Sequence, residues 1–254
     1  MRFHVVTLFP NSFPGPLADS VIGRGMDDGV FSVCAHDLRE YGEGRHRIVD
    51  DAPFGGGPGM VLKAGPLASA IDSAKVETGQ RKESTRTPVI LLDPRGRRFD
   101  QSIADELAIH PELILVCGHY EGVDERVREM LVTDEISIGD FVLTGGELAA
   151  MVLIDAVARR LGGVLGSEES GRRDSFAEGL LQYPQYTRPA TFDGSQVPEI
   201  LVSGDHTKVS EWRRRRSLEE TLGRRSDLID RAEISEREQE WLAEARRAER
   251  DSRP

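Results

Sequence analysis

Cysteine is scarce: the chain carries two, Cys34 and Cys117, far apart in sequence. They fit neither a disulfide framework nor a zinc spacing, so a reducing, cytoplasmic setting is expected. Long apolar runs are also missing. No stretch approaches the roughly 18 residues of a membrane span, which argues against a helical membrane protein. Met1-Arg2-Phe3-His4 opens a strand-like run rather than a signal peptide. Positive charge is in deficit, with 33 basic against 44 acidic residues and a net charge of −11. That excludes bulk, non-specific nucleic-acid binding as the main business of the chain, while leaving room for a local basic surface. His36, His46, His110 and His206 are isolated, and no metal site is expected from their spacing.

What is present is 254 residues with 38% hydrophobic and 30% charged content, enough for one large or two modest globular domains. Phe3–Phe9 reads as a central strand, Leu17–Met26 as a helix and Val30–Leu38 as a second strand. A polar loop from Arg39 to Met60 holds DDAPFGGGPGM, which has neither the Walker nor the dinucleotide spacing. Such glycines suit a surface loop, or equally a backbone packed closely on a ligand or partner. Leu67–Ala74 and Gln101–Ile109 look helical, with a charged connector at Thr78–Thr87. Pro88–Asp93 and Leu113–Cys117 are compact apolar runs of the kind that form buried parallel strands.

The stretch from Asp134 to Arg160 organises the rest. Glu135–Ile138 is a short β-branched run, followed by a turn with Gly139, Gly145 and Gly146. Thr144 and Glu147 have capping-box spacing, and a helix from Leu148 should end near Gly162. Strands ending near Asp93, Cys117 and Ile138 each run into a glycine-bearing turn, at Gly96, Gly118 and Gly139. Alternating strands and helices predict an α/β parallel sheet, which brings those turns to one edge as a composite pocket. A linker at 163–173 then leads to a small, mainly helical unit at 174–254. Its helices are expected at Val197–Ser203, Thr207–Leu222 and Ser235–Arg250.

The runs LVCGHYEGVDERV, SIGDFVLTGGELAAMVLIDAVAR, DSFAEGLLQYPQYTRP and WRRRRSLEET resemble bacterial tRNA (guanine-37-N1)-methyltransferases, in order and over nearly the whole chain. That resemblance implies the SPOUT class, with a deep trefoil knot in a domain at 1–162 and a homodimer whose active site is shared between subunits. Pattern alone gives an unknotted, doubly wound sheet. The resemblance also implies methyl transfer from S-adenosylmethionine to N1 of guanosine 37 in the tRNA anticodon branch, and suggests a need for Mg²⁺.

On the same grounds Leu92, Pro94, Gly118, Tyr120, Ile138, Gly139, Leu143, Gly145 and Gly146 match the lining of the donor pocket. Glu121 matches the carboxylate near the donor's methionine end, where a sulfonium favours an acidic neighbour. Asp174 matches the general base and Arg159 the donor to O6. Aspartate is ordinarily a weak base, so its site must raise its basicity or hold it in near-attack geometry. Without the resemblance Asp174 would read as a helix N-cap. Lys208 and Arg213, Arg214, Arg215 and Arg216 are candidates for phosphate contact, set against the usual fate of a charge run as a solvated helix face.

The chain departs from the family pattern at His119, Phe141, Leu161-Gly162-Gly163 and Arg172-Arg173. Two rivals stand beside the methyltransferase reading. One is a ribose 2′-O-methyltransferase of the same architecture; the other is an RNA-binding protein that only senses the donor.

Overall fold

The computed structural model describes residues 1–77, 87–166 and 174–251. The connector expected at Thr78–Thr87 lies almost wholly outside these residues, as do most of the expected linker and both Arg172 and Arg173. The chain divides into two compact units, Met1–Glu168 and Glu169–Pro254.

In the first unit the elements run β1 (Arg2–Thr7), α1 (Ser20–Asp27), β2 (Ser32–Asp37), β3 (Asp50–Asp51), β4 (Val61–Leu62), α2 (Ala64–Glu77) and β5 (Val89–Arg98). They continue with α3 (Gln101–Ala108), β6 (Glu112–Cys117), α4 (Glu125–Leu131), β7 (Asp134–Ser137) and α5 (Glu147–Ala158). Five strands form one parallel sheet in the order β2-β1-β6-β5-β7. The first strand is interior, and β6 is the central one.

Both faces of this sheet are covered, which is why its strands read as unbroken apolar runs. Phe3, Val5, Leu113, Leu115, Ile90 and Leu92 face one core, closed by residues of α1, α3 and α5. Val6, Ile114, Val116, Val89 and Leu91 face a second, closed by Leu67, Ala70, Ile71 and Ala74 of α2 and Val127 of α4. Each such fully buried side chain contributes about 1.5–3 kcal/mol. Asp100 caps α3 by accepting from the Ile103 N–H at 3.1 Å.

Four local expectations are corrected. Asp93-Pro94-Arg95-Gly96 does not end β5: the strand pairs with β7 through Leu92↔Ile136 and again through Arg97↔Ile136, with the intervening residues bulged out. Gly96 lies against the backbone of Glu135 and Ile136, where a Cβ would collide. Thr144 and Glu147 form no capping box, because α5 starts at Glu147 with Gly146 as its N-cap. The Glu147 carboxylate instead accepts from Thr7 Oγ1 at 2.7 Å. Val164, expected in the linker, is buried in the first core, and α5 ends at Ala158, before the expected Gly162.

The second unit contains a hairpin, β8 (Thr191–Phe192) and β9 (Ser195–Gln196), then α6 (Glu199–Val202), α7 (His206–Arg224), α8 (Ser226–Ile229) and α9 (Glu236–Asp251). The hairpin turns on Asp193 and Gly194, both at positive φ (48° and 79°), as a tight Asp-Gly turn requires. Leu180, Leu218, Ile229 and Leu242 form its buried cluster. No helix among the described residues is long and apolar enough to cross a membrane.

Candidate active site

Parallel pairing puts the carboxyl ends of β5, β6 and β7 side by side, and a cavity of about 260 Å³ opens there. Leu92 and Pro94 come to it from β5 and its bulge; Gly118, Tyr120 and Glu121 come from the turn after β6. Ile138, Gly139, Leu143, Gly145 and Gly146 come from the segment joining β7 to α5. All ten residues expected in a donor pocket therefore line one cavity. Of the three turn glycines, Gly96 does not line it.

The turns are stitched together by backbone. The Gly146 N–H donates to Gly118 O at 2.9 Å, and a Cβ at Gly146 would come within 2.8 Å of Cys117 Cα. Only glycine permits that approach. The DDAPFGGGPGM loop joins the wall as well. Glu121 N–H donates to Met60 O at 3.0 Å, and a Cβ on Gly59 would collide with the Glu121 carboxylate. The loop is mixed: Phe54 is fully exposed, whereas Gly59 packs closely against Glu121 of the same chain.

The polar groups around the cavity have distinct settings. Tyr120 adopts a left-handed backbone (φ 59°), a strained state for a residue with a side chain. Burial, then the charge and hydrogen bond of Asp50, push its hydroxyl pKa up. His119 packs between Phe9 and Tyr120, at 5.3 and 4.6 Å between ring centres. Its Nδ1 is buried with no hydrogen-bond partner among the described residues. Burial pushes the Asp93 carboxyl up, but hydrogen bonds from Arg95 and the Arg128 charge outweigh it and hold it below the ordinary value. Arg128 bridges Asp93, itself in the cavity wall, at 2.9 Å and Glu135 at 2.7 Å, clamping β5 to β7. Phe141, exposed on the β7–α5 segment, lays its ring over Gly139.

Arg159 is the residue at the carboxyl end of α5 in the first unit. Asp174 belongs to the second unit, where it lines a hollow of about 170 Å³ with Tyr183, Arg213 and Arg214 among its neighbours. The two residues expected to carry the chemistry thus come from different units.

A family model for tRNA (guanine-1)-methyltransferase, TrmD, matches residues 1–231. The chain belongs to this family. A tRNA (guanine-N(1)-)-methyltransferase of Geobacter sulfurreducens is 55% identical, over 96% of this chain and 97% of that protein. One of Moorella thermoacetica is 53% identical over the full length of both. One of Limosilactobacillus fermentum is 54% identical over 94% of each.

Within this family member the arginine run of α7 is largely spent inside the helical unit. Arg214 reaches Glu238 at 2.6 Å and Glu178 at 2.9 Å; Arg215 reaches Glu219 and Glu244, each at 3.0 Å. Arg216 pairs with Glu219 at 2.6 Å and lies over Trp212, while Arg213 lies over Tyr183 at 5.0 Å. Lys208 pairs with Asp205, which also caps α7. Sequence reasoning missed these partners because most lie on α9 or in the segment before α7. It also missed Arg128 and Asp93 as the brace of the cavity; the alternation of charge in DERVRE offered no signal for it.

Proposed function

We propose that this protein transfers a methyl group from S-adenosylmethionine to N1 of guanosine 37, 3′ of the anticodon, in tRNA. The observation that carries the reading is the one cavity lined together by the bulge of β5, the turn after β6 and the segment joining β7 to α5. Its lining suits the donor: close backbone for reading polar edges, with Leu92, Ile138, Leu143 and Ala149 for an adenine face. Glu121 would sit toward the sulfonium. When bound, the donor supplies an electrophilic methyl group.

The chain's own residues then have two tasks. N1 of neutral guanine carries a proton, and Asp174 takes it as general base. As it leaves, negative charge grows toward O6, and Arg159 meets it with a hydrogen-bonding cation. Arg159 and Asp174 come from different units, which accords with a homodimer in which one subunit's donor cavity works with the partner's helical unit. The α/β unit is proposed to carry the deep trefoil knot of the SPOUT class. The helical unit is proposed to hold the tRNA anticodon branch, with Lys208 and Arg213 to Arg216 as its phosphate contacts. Mg²⁺ wants several oxygen ligands. Around the cavity Asp93 is engaged by Arg95 and Arg128, and no step is assigned to Mg²⁺.

Mapping the methylated atom by mass spectrometry, after incubating the protein with donor and unmodified bulk tRNA, tests the proposal. Methyl on N1 of guanosine 37 is expected. Methyl on a ribose oxygen, or tRNA binding with no transfer, would favour one of the rivals instead.

A further inference from the structure

We propose that His4, Cys34, His36 and Glu77 form a binding site for one divalent metal ion of zinc-like chemistry. It shares no residue with the cavity, and it would tie the edge strand β2 to the end of α2.

Parallel register makes the cluster. His4 of β1 pairs with Cys34 of β2, and Val6 pairs with His36. Side chains two apart on a strand share a face, so His4, Cys34 and His36 all stand on the face covered by α2. The last residue of α2, Glu77, closes the group. One donor atom from each of the four lies within 4.8 Å of every other. His4 Nδ1 and His36 Nε2 are 3.0 Å apart, Cys34 Sγ and Glu77 Oε2 4.0 Å, and His36 Nδ1 and Glu77 Oε1 3.8 Å. Tetrahedral zinc with bonds of about 2.0–2.3 Å sets its donors about 3.3–3.7 Å apart, so the two histidine nitrogens would part slightly and the wider-spaced donors, all within 4.8 Å, would close in by about 1 Å at most.

The protein without metal leaves this group poorly satisfied. Two neutral imidazoles in contact share one hydrogen bond. The fully buried His4 keeps Nε2 with no partner among the described residues. A thiolate and a carboxylate would balance the charge of a divalent ion, and a mixed sulfur and imidazole set selects zinc over magnesium. On binding, the Cys34 thiol gives its proton to solvent and its sulfur lone pair to the metal.

The test uses the untagged full-length protein, stripped with chelator. Titration with Co²⁺ should give a thiolate-to-cobalt charge-transfer band and the intense visible bands of a tetrahedral ion, saturating at one ion per chain; Zn²⁺ should displace it. Cys34→Ser should lose the charge-transfer band, and both Cys34→Ser and Glu77→Gln should weaken Zn²⁺ binding roughly 10–100-fold or more. Both positions are at least partly exposed, so folding should survive. A wild-type cobalt spectrum without thiolate charge transfer would overturn the proposal whatever the variants do. So would undiminished Zn²⁺ affinity in either folded variant, which would leave a plain buried histidine pair.

Discussion

In the α/β unit a five-stranded sheet is buried on both faces by Leu, Ile, Val and Phe side chains. In the helical unit the buried cluster among the described residues is Leu180, Leu218, Ile229 and Leu242, and ion pairs surround it. The first arrangement fixes backbone, because strands in a covered sheet cannot slip without turning apolar faces outward. That suits a cavity walled by closely packed main chain, glycine and apolar side chains. The second leaves charged side chains at the surface, and surface ion pairs contribute little each and weaken with salt. The division matches the proposed labour: a rigid donor pocket in one unit, a polar RNA-facing body in the other.

The largest effect should come from the helical unit's one proposed catalytic group. Asp174→Asn should bind donor and tRNA nearly normally while its single-turnover methyl transfer falls roughly 10²–10⁴-fold. Arg159→Lys keeps charge but loses the planar fork, so it should lose less than Arg159→Ala. Full single-turnover activity in Asp174→Asn would end the mechanism, whereas lost stability with an intact rate would make Asp174 a cap.

Next comes the donor cavity. A Cβ at Gly145 would come within 2.7 Å of His119 Nδ1 and collide with the Glu147 carboxylate, so Gly145→Val must displace a wall of the pocket. Calorimetry should show S-adenosylmethionine affinity down by about tenfold or more, since a well-packed wall resists even one added methylene. Mixed with Asp174→Asn under conditions of subunit exchange, it should recover part of the wild-type rate. No recovery would place each active site within one chain and undo the proposed division between subunits.

The packing contrast can be tested directly. Leu115→Ala empties a site closed on all sides and should cost about 2–5 kcal/mol, read by hydrogen exchange of β6 amides. Leu242→Ala, in the small helical cluster where neighbours can collapse inward, should cost about 2 kcal/mol or less for α9 amides. Equal costs would erase the distinction between the units.

How much of this was legible in the sequence depended on the range of the contacts. Val89 to Leu92 and Leu113 to Cys117 were legible because burial on both faces writes itself as a continuous apolar run. The composite cavity followed from their parallel order. The bulge at Asp93 to Gly96 was not legible: Pro-Arg-Gly reads locally as a turn, and only pairing with β7 keeps the strand going. Thr144 and Glu147 had the spacing of a capping box, yet Thr7, far off in sequence, holds the glutamate. The Asp193-Gly194 hairpin did carry a local signal, which the aromatic and turn-rich surroundings masked. Cys34 and His36 looked isolated, and His4 was passed over, because their meeting depends on a strand register that no local spacing encodes.

The smallest expected effect concerns the glutamate half of a capping box. Ser235 precedes α9, and Glu238 reaches back to accept from the Ser235 N–H at 2.8 Å and its hydroxyl at 2.7 Å. The other Glu238 oxygen accepts from Arg214 Nε at 2.6 Å, so one carboxylate both starts α9 and anchors it to α7. Burial pushes the Glu238 carboxyl up, but the Ser235 and Arg214 hydrogen bonds outweigh it and hold it below its ordinary value of 4.5. A carboxyl lowered by folding adds stability that is fully present above the unfolded value and is lost as pH falls through the folded one. Hydrogen exchange of α9 amides should therefore show an opening free energy flat above pH 4.5 and declining below it. Glu238→Gln keeps an acceptor for Ser235 but cannot titrate, so its acid decline should disappear, while Glu238→Ala should lose about 1 kcal/mol above pH 4.5 as a missing cap does, a gap that narrows in acid. An unchanged acid decline in Glu238→Gln would shift the anchoring of α9 to Glu244 and Arg215, and with it the view that polar contacts rather than core set the order of this unit.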